Sequence, residues 1–262
     1  MKTVLVTGAA GGMGQAICRK LTEENFQVFA LDLRKTEIPG VQSIICDLRD
    51  PLSVEKARDS FLSSSHHLDA IVHAAGIYDL DALSEMEEER FCRIFEINVF
   101  GAYRINRLFT PYMDPGGRIT IITSELAPLN PLPFTGIYGI TKTALDRYAY
   151  SLRSELSLRG ISVTVIRPGA VNTGLLGVST RALDRFCSKT EHFAPNARHF
   201  REIVNRVEAR SVAPEKIGDL VFRSLTVRHP RYVYSINRNV LLRLMSALPD
   251  HLQIWILKQI LK

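Results

Sequence analysis

Tyr138-Gly139-Ile140-Thr141-Lys142 puts a phenol and an ammonium four residues apart, on one face of a helix and within reach of a common ligand. A free tyrosine titrates near about 10 and is a poor base at neutral pH, but a neighbouring ammonium favours its phenolate. Thr123-Ser124, fourteen residues upstream, ends a strand pattern, where side chains meet the crevice at the carboxyl edge of a sheet. Near the start, Thr7-Gly8-Ala9-Ala10-Gly11-Gly12-Met13-Gly14 follows one strand and opens into a helix. Glycines there allow a tight turn and let backbone N–H groups approach a pyrophosphate at the positive helix end.

Asp32 ends the second strand 18 residues after Gly14, close to the distance expected for an acid that binds an adenosine ribose. Its plain alternative is a solvated strand end. A carboxylate there repels a 2'-phosphate by a few kcal/mol or so, less after screening, which favours NAD over NADP. Ala9 and Ala10 offer no basic residue, in agreement, while Arg34 is the counterweight because it could pair with a phosphate. Asp47, beside Leu48 after the third strand, is suited to accept from the adenine amino group or to cap the next helix. His73-Ala74-Ala75-Gly76 ends the fourth strand in small residues that let the backbone run against a flat cofactor, with His73 read as packed.

These groups need a frame. Strand patterns fall at Thr3-Val6, Gln27-Leu31, Gln42-Cys46, Ala70-His73, Arg118-Thr123, Ile161-Arg167 and Arg231-Ile236. Helical patterns lie near Met13-Glu24, Leu52-Leu62, Glu85-Ile94, Glu96-Met113, Tyr138-Leu158 and Pro214-Val227. The alternation predicts an α/β fold: one Rossmann-type doubly wound domain over 1–262, with a seven-stranded parallel sheet and helices on both faces. Asp50-Pro51 offers an N-cap followed by proline, Ser84 and Glu87 have the capping-box spacing, and Gly160 closes a helix. The segment at about 174–213 carries seven arginines or lysines and four acids, and reads as a substrate lid. Residues 239–262 read as two short helices divided by Pro249, with Leu252, Trp255, Ile256, Ile260 and Leu261 on the docking face.

The chain has 262 residues, 46% hydrophobic and 23% charged, which fits an ordinary folded protein and excludes a disordered or fibrous one. A net charge of +6, scattered rather than blocked, gives no case for nucleic acid. Four separated cysteines, Cys18, Cys46, Cys92 and Cys187, predict a reduced compartment and no metal site. Strand pattern from Val4 leaves no room for a targeting peptide, and no apolar run is long enough to span a membrane, so a cytoplasmic location is expected. Contact of the C-terminal helices with a membrane surface remains open.

With the glycine turn, Ala74-Ala75-Gly76, Asn98, Ser124, Tyr138-x-x-x-Lys142 and Pro168-Gly169-x-x-x-Thr173 in order, the sequence resembles the short-chain dehydrogenase/reductase family over roughly residues 1–175. The resemblance implies an NAD(P)-dependent enzyme interconverting a secondary alcohol and a ketone, with a catalytic tetrad of Asn98, Ser124, Tyr138 and Lys142. In it Tyr138 exchanges the proton, Ser124 holds the substrate oxygen, Lys142 also binds the ribose, and Asn98 orders a water connecting Lys142 to solvent. Outside the resemblance Asn98 reads equally as a helix cap. Expected cofactor contacts are Gly8, Gly11, Gly12, Met13 and Gly14 at the turn, with Asp32, Asp47 and Leu48 beyond it. Ala75, Gly76, Pro168, Gly169, Val171 and Thr173 complete them, beside Tyr138 and Lys142. The Ser124–Tyr138 gap is one residue longer than usual, so an irregularity is expected in 125–137, with Thr123 as the fallback hydroxyl.

Leu126 to Phe134, Leu175 to Ala213 and Tyr78 should build the substrate pocket, and apolar Leu129 to Phe134 with Leu175-Leu176 suits a greasy alcohol better than a sugar. Similarity to the hydroxysteroid and retinol dehydrogenase branch implies a sterol-like or other lipid-like substrate. Arg181, Arg185, Arg198 and Arg201 could meet an acidic tail or form a solvated face. Two rivals stand: a nucleotide-sugar epimerase or dehydratase, for which too few residues follow Gly174, and a non-catalytic dinucleotide redox sensor, which would not need the Tyr/Lys pair. By analogy the helices 96–113 and 138–158 pair across two-fold axes into a homodimer or homotetramer.

Overall fold

The computed structural model describes residues 1–208 and 211–262, the side chains of 174–179 and 206–208 excepted. Seven strands, β1 (Thr3–Thr7), β2 (Gln27–Asp32), β3 (Val41–Ile45), β4 (Ala70–His73), β5 (Arg118–Ile122), β6 (Ser162–Pro168) and β7 (Val233–Ile236), form one sheet in the order β3-β2-β1-β4-β5-β6-β7. Every pairing is parallel. The chain order reverses between β1 and β4, which opens a crevice at their carboxyl ends where ligands of such sheets bind.

Alternation along each strand sends side chains to two apolar layers. Leu5, Phe29 and Ile71 face α2 (Pro51–Leu62), α4 (Gly101–Phe109) and α5 (Gly136–Ser157), meeting Phe61, Phe109 and Leu145. Phe61 stands edge-on to Phe29 and Phe109, with ring centroids 4.8 and 5.7 Å away. Val4, Val28 and Val72 face α1 (Gly12–Glu23) and α8 (Glu215–Thr226), meeting Ile17, Leu21, Ile217 and Val221. Asp50 caps α2 through its carboxylate, which accepts from the Leu52 N–H at 3.0 Å, and Gly160 takes φ +70 after α5.

Two expectations change. The helix expected from Glu85 is α3 (Glu88–Phe95), and no capping box forms: Glu87 is the cap position without a side-chain bond, while Glu85 accepts from the His192 N–H. The single helix expected over 96–113 is a π-helical turn (Glu96–Phe100), then α4, then a short 3-10 turn (Thr110–Tyr112), because Pro111 cannot extend the helix. The segment read as a lid contains α6 (Gly174–Lys189) and α7 (Ala194–Glu208), whose Phe186 and Phe200 pack on Phe134 and Leu80 over the carboxyl edge. Leu175, Leu176 and residues 209–210, part of the expected pocket wall and lid, lie outside the described residues.

Pro249 divides α9 (Val240–Ser246) from α10 (Asp250–Ile260) as expected, but α10 is rotated from the expected docking face: Leu252, Ile256 and Leu261 turn inward and Trp255 and Ile260 do not. Gln253 and Leu261 are buried while Trp255 is 58% and Ile260 46% exposed. Two polar contacts set the rotation: Gln253 Nε2 donates to the Leu248 carbonyl at 2.7 Å, and Asn130 Nδ2 donates to Gln253 Oε1 at 3.4 Å.

His73 is buried in the sheet with Nε2 2.9 Å from Asn106 Oδ1, and burial pushes its pKa down to about 4. Above pH 6.5 the ring is neutral in both states and costs nothing. As pH falls below 6.5 the unfolded chain takes the proton first, so stability falls by up to about 3 kcal/mol by pH 4. Urea unfolding at pH 7 and pH 4.5 should show this slope in the wild type and a shallower one in His73→Gln.

Candidate active site

The glycine turn leaves β1 at Gly8, whose φ is +68, and no side chain fits there: an added Cβ would lie 2.5 Å from the backbone of Ala75. A Cβ at Gly14 would lie 2.1 Å from the Gly8 carbonyl oxygen, so the first turn of α1 packs directly on the loop. No side chain caps α1 at Gly11, which leaves its leading N–H groups to an anion. Asp32 stands at the carboxyl end of β2, its Oδ2 accepting from the Ala10 N–H at 3.0 Å and its Oδ1 from the Arg34 N–H at 3.3 Å. The acid is thus tied to the turn rather than a free strand end. The fit to a dinucleotide is good: small residues where backbone must approach, open N–H groups, and a carboxylate beside them.

Asp47 neither caps α2 nor stands clear, since Arg49 grips both carboxylate oxygens at 2.7–3.2 Å and holds its pKa down. Leu48 packs against Gly101. Met13, Gly76, Pro168, Gly169, Val171 and Thr173 all line a cavity of about 230 Å³ that also holds Ser124, Tyr138 and Lys142. Ala75 lies against the glycine turn at Gly8, and Thr173 against Gly12.

Tyr138 and Lys142 share one face of α5 as the spacing requires, with Lys142 Nζ 5.7 Å from the Tyr138 ring centroid. Burial pushes the Tyr138 phenol up to about 12, while a hydrogen bond with Ser124 acts the other way. Burial also brings Lys142 down to about 8, and its Nζ donates to the Ile122 carbonyl at 3.1 Å. Thr123, the fallback hydroxyl, turns its Oγ1 toward Asp146 and the Ile166 carbonyl, both at 3.3 Å. The irregularity expected in 125–137 lies at Phe134, held at φ +63 while its ring packs among Phe186, Phe193 and Phe200.

Asn98 is no helix cap. Buried in the π-helical turn, its Oδ1 accepts from the Ile77 N–H at 2.8 Å, and its Nδ2 donates to the Ile77 carbonyl at 3.0 Å and to Thr141 Oγ1 at 3.1 Å. A Cβ at Gly76 would lie 3.3 Å from Lys142 Nζ and 3.4 Å from Asn98 Oδ1, so glycine keeps the three side by side.

Sequence reasoning missed Thr141, which braces Asn98 and, within α5, donates to the Tyr138 carbonyl at 2.8 Å. Its signal was present inside Tyr138-x-x-x-Lys142. It also missed Leu242 of α9, which lines the cavity from the far end of the chain, and Glu125, which follows Ser124 into it. Tyr78, expected in the pocket, stacks on Tyr138 at 4.8 Å. Of the four arginines, Arg185 pairs with Asp79, which also binds Arg90 at 2.8 Å, so it ties α6 to the body. Arg201 pairs with Asp184 at 3.1 Å, and Arg181 and Arg198 are exposed.

Comparison with known proteins fits this geometry. A 3-ketodihydrosphingosine reductase of Bacteroides thetaiotaomicron is 25% identical over 260 residues, covering 97% of this chain and 96% of that one. A versicolorin reductase of Emericella nidulans is 27% identical over 213 residues, 77% of each chain. The fold of a short-chain dehydrogenase from Streptomyces avermitilis superposes with a TM-score of 0.77 at 20% identity, covering 98% of this chain and 95% of that one. The short chain dehydrogenase family profile matches residues 2–183, and the chain belongs to that family of NAD(P)-dependent oxidoreductases.

Proposed function

We propose that the protein interconverts a secondary alcohol and a ketone on a long-chain, lipid-like substrate, with Tyr138 as the general acid and base. The observation that carries the substrate class is a second, larger cavity of about 830 Å³ beside the first. Glu125, Leu132, Phe200, Ile203 and Leu242 wall both, so an apolar path leads from Tyr138 to the C-terminal helices. Val240, Leu241, Leu244, Leu257 and Ile260 line its outer part, which suits an alkyl chain. The full-length relative named for 3-ketodihydrosphingosine supports a long-chain ketone over the rigid sterol that the hydroxysteroid branch would suggest.

When bound, the reduced nicotinamide supplies the hydride that reaches the carbonyl carbon. Ser124 positions the carbonyl oxygen, and Tyr138 Oη delivers the proton that turns it into a hydroxyl; in the oxidative direction it takes that proton back. The Lys142 ammonium stabilises the phenolate that Tyr138 becomes on giving up its proton, and Asn98, clamped on Ile77, holds the site end of the π-helical turn for a solvent path to Lys142. Gly8, Gly11, Gly12 and Gly14 would hold the pyrophosphate and Asp32 the adenosine ribose. Exposed Phe100, Tyr103 and Tyr150 on the π-helical turn, α4 and α5 support pairing of two copies across these elements.

Purified protein given NADH or NADPH should oxidise it in the presence of long-chain 3-ketones, and much more slowly with short secondary ketones or ketosteroids. Full turnover of ketosteroids with none of long-chain ketones would refute the substrate class. NADH is the expected partner, and Asp32→Ser should move the NADH:NADPH ratio of kcat/KM by about 10–100-fold toward NADPH, because the substitution removes a charged acceptor for the ribose and a charge that repels phosphate. A wild-type preference for NADPH would refute the reading of Asp32.

A further inference from the structure

Glu125 is the one acidic side chain that lines both cavities, and it follows directly on Ser124. It is 8% exposed. Its Oε2 accepts from the Asn239 N–H at 2.6 Å, at the entry to α9, and its Oε1 lies beside Gly169, 3.0 Å from where a Cβ would stand. Among the described residues no cation lies within 4.0 Å of the carboxylate; Arg238 acts on it only at longer range. The other residues that line both cavities are apolar, Leu132, Ala170, Phe200, Ile203 and Leu242, while Asn237, Arg238 and Asn239 line the second cavity beside them. Burial raises its pKa, as expected for a carboxyl that lacks a counter-ion.

An apolar alkyl channel needs no carboxylate, and burying one without a close cation is unfavourable. One backbone N–H offsets part of that. The position matters more than the cost. Glu125 stands at the junction where the reacting centre, held by Ser124 and Tyr138, gives way to the channel. A substrate threaded through both cavities passes this carboxylate as it leaves the part of the site lined by Ser124 and Tyr138.

We propose that Glu125 is a specificity-determining residue that recognises an ammonium group close to the reacting carbonyl, so that the substrate class is a long-chain amino ketone. The inference rests on the reading of the protein as a long-chain ketone reductase and narrows it. A carboxylate accepts two ammonium N–H donors in a charge-assisted contact, strengthened by the low-dielectric walls. A neutral ketone leaves the carboxylate unpaired, and an N-acylated one replaces the cation with a bulky amide.

The test compares three substrates, 3-ketodihydrosphingosine, its N-acetyl derivative and octadecan-3-one, in the wild type, Glu125→Gln and Glu125→Ala. Glutamine keeps an oxygen for the Asn239 N–H and removes the charge. The wild type should favour the free amine by about 10–100-fold in kcat/KM over both neutral ketones. Glu125→Gln should lose about that factor on the free amine, mainly through KM, and stay within about threefold on octadecan-3-one. Glu125→Ala should show the same discrimination, on top of any loss common to all three substrates from loosening α9.

Equal losses on charged and neutral ketones in Glu125→Gln would show that the residue only anchors α9 and would overturn the proposal, as would a wild type indifferent to the amine. Turnover of octadecan-3-one in either case leaves the long-chain ketone reading intact. Failure on all three ketones by the wild type would refute that reading and this proposal together.

Discussion

Tyr138→Phe should bind NADH with a Kd within about threefold of the wild type and reduce long-chain ketone about 10³-fold more slowly in kcat. The expected size is that of a lost general acid, about 10²–10⁴-fold. The phenylalanine ring fills the same space against Tyr78, so packing survives and the missing atom is only Oη. The wild type adds a sign that the variant lacks. Burial holds the phenol protonated up to about 12 in the ligand-free protein, so the proton needed for ketone reduction is in place at neutral pH. Ketone reduction should therefore stay flat with respect to this group between pH 6 and 10, while alcohol oxidation, which needs the phenolate, should quicken as pH rises. Stopped-flow hydride transfer in both directions across that range would read the contrast; full turnover in Tyr138→Phe would refute the assigned acid.

Lys142→Met should lose at least about 10²-fold in kcat and gain stability at the same time. The ammonium is 4% exposed, and burial lowers its pKa from 10.5 to about 8. Below pH 8 the lysine is charged in both states, and the fold carries the whole desolvation cost. Between 8 and 10.5 the unfolded chain holds the proton more tightly than the native one, so wild-type stability rises with pH through that window. Methionine fills similar volume without the charge. At pH 7 the variant should be more stable by about 1–3 kcal/mol, which is about 3–8 °C in Tm, with the loss of the bond to the Ile122 carbonyl subtracting from the gain. The advantage should vanish by pH 10.5. A calorimetric Tm lower than wild type at pH 7 would show that the ammonium stabilises the fold, contrary to this account.

The candidate site was the most legible part of the sequence because its residues sit at short, regular spacings. Tyr138 and Lys142 are tied by helical periodicity alone, and Gly8, Gly14 and Asp32 by one strand–turn–helix unit, so local geometry carried them into place. Parallel β-strands announced themselves as apolar runs, and their alternation with helices carried the parallel sheet, though not its strand order. What was not legible depends on contacts between distant segments. A period of 3.6 residues runs unbroken through Glu96–Met113, and nothing local says that the backbone widens into a π-helical turn so that Asn98 can grip Ile77. The inward face of α10 was misread because apolar side chains were assigned to the core, whereas a polar residue, Gln253, fixes the rotation through Leu248 and Asn130. Glu125 looked like loop until Gly169 and Asn239 were seen to enclose it.

The sheet order also fixes a timetable. What is assigned to the adenosine half of the dinucleotide comes from the β1–α1–β2 unit and the Asp47-Leu48 turn after β3, with Ala75 following from β4, so a nascent chain has this half once about the first third has emerged. The reacting half draws on the π-helical turn, the end of β5, α5 and the end of β6, elements that neighbour one another in space but are spread over some 75 residues of chain. The second cavity closes last of all, when α9 and α10 dock on segments made long before. A folding intermediate trapped midway would hold a nucleotide without being able to use it, and addition of adenosine nucleotides during refolding should favour passage through that stage over aggregation.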